Sequence, residues 1–137
     1  MVAGNSSFSV ELRARRLWIS VGWALVLLIV YLSLTPSPIG LPVEYGDKIS
    51  HVLAYLALMS WFANIYDSAI QRTGFAIGFV ILSIALEFVQ WWVGYRTLEL
   101  NDMVASTIGV ALGLVFAPPR MPNYLKLIEQ FHRSHTM

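Results

Sequence analysis

The chain has 137 residues, 57% of them hydrophobic and only 12% charged, with a formal net charge of +1 and a mean hydropathy of +0.64. Soluble domains carry about a quarter charged residues, so half that fraction needs an apolar solvent around the protein, and the near-zero net charge offers no field for nucleic acid. The absence of cysteine excludes disulfides, thiol nucleophiles and thiolate metal sites, and the length allows one small domain.

Residues 1–16 form a short polar tail that turns basic at Arg13, Arg15 and Arg16. The apolar run 17–34 is long enough to span a hydrocarbon core of about 30 Å. Basic residues before an apolar run also mark signal peptides. This run is too long for a signal core, and Thr35-Pro36-Ser37-Pro38 follows it in place of a cleavage site, so it reads as a retained anchor. Three prolines and two glycines between Thr35 and Gly46 make an irregular loop.

A second span is expected over about 48–66, followed by a polar turn from Asp67 to Thr73. The third, about 74–93, closes on the aromatic pair Trp91-Trp92, with Tyr95 beyond, as at a membrane interface. A polar connector from Gly94 to Asn101 leads to a fourth span over about 102–117, stopped by Pro118-Pro119. At helical rise that span is about 24 Å long, so its polar first turn belongs within the interface. In the tail, 118–137, Tyr124, Leu125, Ile128 and Phe131 fit one helical face. It reads either as a short amphipathic helix on the membrane surface or as a frayed end. The expectation is an all-α membrane protein with four transmembrane helices around a membrane domain of 17–117. Arg13, Arg15, Arg16, Arg72, Arg120, Lys126 and Arg133 then share one side, against Lys48 and Arg96 on the other, which places both termini in the cytoplasm.

That orientation collects the polar residues of the spans in the outer leaflet. Asp47, His51 and Tyr55 are spaced by four and share a helical face. Asp47 also suits the N-cap of the second span, and its carboxylate suits the task of fixing the His51 imidazole. Lys48 beside it can snorkel to headgroup phosphates. Glu87 and Gln90 lie three apart near the outer end of the third span. A carboxylate at that depth is costly, so it is paired, protonated or functional, or it serves with Gln90 as polar glue between helices. Arg96, Glu99 and Asp102 follow at spacings of three, with Asn101 or Asp102 suited to cap the fourth span. Ala105, Gly109, Gly113 and Ala117 recur every four residues and allow close helix packing, within the chain or between copies through Gly109 and Gly113; Ser106 adjoins this stripe. Gly74 and Gly78 form a second, weaker pair.

Glu44, Asp47, Glu87, Glu99 and Asp102 outnumber Lys48 and Arg96 in this outer half, which suits a cation or a protonated site. The outward N-termini of the second and fourth spans, with Lys48 and Arg96, favour an anion instead. A lipid phosphate or pyrophosphate carried with a divalent cation satisfies both. The candidate metal ligands are Asp47, Glu87 and Asp102.

The ordered set Asp47-Lys48-x-x-His51-x-x-x-Tyr55, Glu87-x-x-Gln90 and Arg96-x-x-Glu99-x-x-Asp102, followed by Gly109 and Gly113, resembles the VanZ-like family of small bacterial membrane proteins over roughly residues 30–117. Two positions depart from the family pattern: Ser106 stands where asparagine is frequent, and Glu99 where aspartate is common. The resemblance implies a multi-pass protein of the bacterial cytoplasmic membrane, with ties to cell-envelope chemistry and, through the founding member, to teicoplanin resistance. Three readings remain open. The first is a binder of a lipid-linked cell-wall intermediate, glycopeptide or other envelope headgroup, using Asp47, Lys48, His51, Tyr55, Glu87, Gln90, Arg96, Glu99, Asp102 and Ser106. The second is an intramembrane hydrolase or transferase on a lipid phosphate, with His51 or Glu87 as acid–base. The third is a structural partner that packs through its small-residue stripe.

Overall fold

A computed structural model describes residues 12–35, 44–94, 97–118 and 120–137, which form five α-helices with no strand among them. They are α1 (Arg15–Leu34), α2 (Gly46–Ile65), α3 (Ala69–Val93), α4 (Leu100–Val115) and α5 (Tyr124–Thr136). The chain is all-α, as its periodicity requires. Two helices, α1 and α3, are long and apolar enough to cross a membrane by length and composition. α4 has 16 residues, and α2 is diluted by Asp47, Lys48, His51 and Asn64.

Cross-links place the ends. Trp61 Nε1 near the end of α2 donates to the carbonyl of Trp18 at the start of α1, at 2.9 Å. Gln90 near the end of α3 donates to the carbonyl of Ser33 at the end of α1. The first four helices therefore alternate in direction, and α5 joins the end where α1 begins. α2 is the central helix. Tyr55, Leu58, Met59, Phe62 and Ala63 are buried on it, and Phe62 meets Phe75 and Phe79 of α3 at 4.6 and 5.4 Å between ring centroids.

The closest approach is between α2 and α4. A Cβ added at Gly109 would come well within van der Waals contact distance of the Val52 carbonyl oxygen, with the Leu56 amide nitrogen 3.0 Å away. At Gly113 it would stand 2.7 Å from the Met59 Cβ. The small-residue stripe is thus filled by α2 of the same chain, which occupies the surface that Gly109 and Gly113 would otherwise lend to a second copy.

α3 begins at Ala69, five residues earlier than the pattern of apolar residues suggests, because Arg72 has a task inside the bundle. Its guanidinium donates to the carbonyls of Tyr66, Ala63 and Pro118 at 2.7, 2.7 and 2.6 Å. It thereby satisfies C-terminal carbonyls of α2 and ties them to the segment after α4. The polar turn shrinks to Tyr66-Asp67-Ser68.

α5 is docked on the bundle. Asn64, buried at the end of α2, accepts from the Tyr124 amide at 3.1 Å, and its own carbonyl accepts from Asn123 Nδ2 at 2.8 Å. Leu125 is fully buried beside Leu12 and Ile65. Burial raises the pKa of the Tyr124 phenol, against the pull of the Ser60 hydroxyl.

The decisive contact is Glu129. α1 has no side-chain cap of its own. The Glu129 carboxylate accepts instead from the amides of Arg13 and Ala14, at 3.1 and 3.0 Å, and from Trp18 Nε1 at 2.8 Å. Burial works against this carboxylate, but the donors from Ala14, Trp18 and Arg13 and the charge of Arg133 outweigh it and hold its pKa below the ordinary value.

Two outcomes test this packing. Gly109→Ala should destabilise the protein by about 1–3 kcal/mol through overpacking. Gly74→Ala, where an added Cβ meets nothing within 4 Å, should leave the thermal midpoint level or raised. Because the Glu129 pKa is lower when folded, its contribution is present above the unfolded glutamate pKa and disappears as pH falls through the folded value. Acidification should therefore release α5 to protease, and Glu129→Ala should show that release at neutral pH, with a loss of about 0.5–2 kcal/mol as for other caps.

Candidate functional site

At the end of the bundle opposite α5, the first turn of α2 meets the first turn of α4 and the last turns of α3. α2 does not open on Asp47. Its N-cap is Tyr45, in the left-handed region at φ 59°, a conformation that costs a non-glycine residue about 1–2 kcal/mol. Asp47 therefore lies inside the first turn, where its carboxylate takes the Lys48 ammonium at 2.8 Å. The same Nζ reaches Asp102 Oδ1 at 2.9 Å and also binds the Glu99 carboxylate. Lys48 is thus a hub for three acids rather than a lysine extended toward headgroups. Its side chain is 23% exposed while Asp102 is 1% exposed, so the pairing offsets the cost of taking a carboxylate out of water.

Asp102 does not cap α4 either; Glu99 is the N-cap residue. From its place in the first turn, Asp102 faces α2 and engages two residues there. Its second oxygen is 3.7 Å from His51 Nε2. His51 Nδ1 is 3.2 Å from Ser106 Oγ, and that hydroxyl donates to the Asp102 carbonyl at 3.0 Å. The Ser106 hydroxyl thus stands between the His51 ring and the Asp102 backbone, and Nε2 faces the carboxylate. His51, Asp102 and Ser106 form a polar clasp between α2 and α4, one turn from the Gly109 contact.

Glu87 sits apart from this hub. It is buried, and its Oε1 accepts from the Glu99 amide at 2.9 Å. The carboxylate thereby holds the connector where α4 begins, a capping partner supplied from another helix. Gln90, buried one turn on, binds the Ser33 carbonyl and so joins α3 to α1. Tyr55 is buried in the α2 core within the electrostatic reach of Glu87. Arg96 and Tyr95 lie outside the described residues.

Of the expected residues, Asp47, Lys48, His51, Glu99, Asp102 and Ser106 converge, while Tyr55, Glu87 and Gln90 have other places and partners. Among the described residues, the acids that bring ligand atoms within 4.8 Å of one another are Asp47, Glu99 and Asp102. Glu99 replaces Glu87 in the expected metal set because Glu87 is committed to the α4 entrance. Asp47, Glu99 and Asp102 all bind the Lys48 ammonium, so a cation could enter only by displacing it. Asn64, Arg72 and Glu129, which secure the opposite end, carry no signal in their spacing. Their partners are backbone groups at helix ends that are remote in sequence.

No family model matches the chain, and no solved structure matches it. An uncharacterized protein of Schizosaccharomyces pombe is 36% identical to it over 97 residues, covering 66% of this chain and 57% of that protein. The chain thus matches a little over half the length of that relative.

Removing the hub cation should expose the cost of the cluster. Lys48→Met should destabilise the protein by about 3–5 kcal/mol, as when one partner of a buried ion pair is lost. Adding Asp102→Asn should return part of that loss in a double-mutant cycle of thermal or denaturant unfolding. Additive losses would show that the two groups are not coupled.

Proposed function

We propose that the chain is a four-span membrane protein of the VanZ-like kind that binds, rather than transforms, a lipid-linked or envelope headgroup at its Lys48 cluster. The observation that carries this reading is the charge of the hub: three carboxylates around one ammonium, a formal excess of two negative charges. Such a site takes a headgroup amine in exchange for Lys48, or a phosphate accompanied by a divalent cation that meets Asp47, Glu99 and Asp102. Asp47 and Lys48 are partly accessible at 38% and 23% exposure, which gives a headgroup an approach.

The membrane location draws support from the surface. Leu27, Tyr31, Ile70, Ile81, Phe131 and Trp92 are 60–86% exposed, a load of apolar surface that water-soluble monomers avoid. α1 and α3 meet the length and composition of spans, with α2 and α4 crossing beside them in this reading. The lysine and arginine distribution puts both termini in the cytoplasm. The resemblance favours a bacterial cytoplasmic membrane and a link to glycopeptide resistance; the fission yeast relative favours no particular compartment.

One observation favours catalysis as a second reading: Ser106, His51 and Asp102 stand in the order of nucleophile, base and carboxylate. Against it, Ser106 is 1% exposed and its hydroxyl is spent on its own helix.

Titration of the full chain in lipid nanodiscs with farnesyl pyrophosphate, with and without Mg2+, separates the readings. Binding should need Mg2+ and weaken about tenfold or more in Asp47→Asn, the loss of one charged contact, with no phosphate released. No binding under either condition would sink the phosphate–cation form of the proposal. Phosphate release that disappears in Ser106→Ala and His51→Ala would replace binding by hydrolysis.

A further inference from the structure

The other end of the bundle holds a second feature, a groove of about 570 Å³ between α1 and α3. One wall is Gln71, Gly74, Phe75, Gly78, Phe79 and Leu82. These positions follow a single helical face, so the groove runs along the α3 axis. Trp23 and Val26 of α1 form the opposite wall, and Tyr66 stands at the end where α2 stops. A Cβ added at Gly74 or Gly78 meets nothing within 4 Å, so this glycine pair borders open space instead of packing against a helix.

Length and polarity identify the occupant. From Gln71 to Leu82 the rise is about 16 Å at helical pitch, roughly half of a hydrocarbon core of about 30 Å, which is the depth of one leaflet. The walls are apolar except at one end. There Gln71 lies beside Tyr66, and the exposed guanidinium of Arg15 stands 5.1 Å from the Tyr66 ring centroid. A channel one leaflet deep, apolar along its length and cationic at its mouth, matches an acyl chain attached to an anionic headgroup.

We propose that this groove is a lipid site that seats one acyl chain of an anionic phospholipid from the leaflet facing the two termini, with its phosphate at Arg15 and Gln71. The site shares with the Lys48 cluster only the membrane location. No residue serves both, so either can fail alone.

The test uses the full chain in dodecyl maltoside, offered equal amounts of dioleoyl phosphatidylglycerol and dioleoyl phosphatidylcholine and examined by native mass spectrometry. A one-to-one adduct is expected, with about a fivefold preference for phosphatidylglycerol, the effect of one arginine at an anionic surface. The double variant Gly74→Leu/Gly78→Leu fills the groove and should abolish the adduct while helical circular dichroism is unchanged. Arg15→Gln should keep the adduct and lose the preference. Equal binding of the two lipids by the unaltered chain, or an adduct that persists in the folded double-leucine variant, overturns the proposal. Should the double variant lose its helicity, Arg15→Gln decides alone, and an undiminished preference there is the contrary result.

Discussion

The approach of α4 to α2 is the constraint on which the rest of the structure depends. Gly109 and Gly113 let the backbone of one helix touch that of the other. No larger residue could hold the axes so close without moving one of them. Side chains a turn or two toward the start of α4 are carried in with the backbone. Ser106 is brought to His51, and Asp102 to Lys48. A wider spacing would leave these groups to solvent. At this spacing they must satisfy one another.

The polar cluster and the apolar contact therefore form one device. Burying a carboxylate as completely as Asp102 is unfavourable unless its partner is held in place. Lys48 is held by being shared. Its three acids come from both sides of the α2–α4 seam, Asp47 from α2 and Glu99 and Asp102 from the start of α4. Glu87 works beside this arrangement by fixing the connector through the Glu99 amide, which sets the direction in which the Glu99 side chain leaves. A ligand that draws Lys48 away would loosen the seam as well as vacate a charge, so occupancy and helix packing are coupled.

Much of this is legible in the sequence alone, for a physical reason. Apolar periodicity and the cost of ionisable groups in a hydrocarbon core are strong local signals. They place α1, α2 and α4 to within about two residues at their starts, and with the family pattern they gather Asp47, Lys48, His51, Tyr55, Glu87, Gln90, Arg96, Glu99, Asp102 and Ser106 into one group, of which the fold joins Asp47, Lys48, His51, Glu99, Asp102 and Ser106. Partnerships were less legible. A helix start shows an acid near it, but not whether that acid caps the helix or turns to a neighbour; Tyr45 in a left-handed conformation displaces Asp47 from the cap. Arg72 reads as a turn residue because it is charged, whereas its five donors suit the open carbonyls at a helix end. In an amphipathic tail Glu129 resembles any solvated glutamate. Only the fold reveals that the amides opening α1 lie beside it.

That last contact bears on how the molecule is made. The acceptor for the Ala14 amide is translated 115 positions after it. At about 5–20 residues per second of synthesis, α1 exists for several seconds before the carboxylate that completes its first turn emerges. During that interval its opening amides have water for partners. The docking of α5 serves as a late latch, closing over helices that are already made.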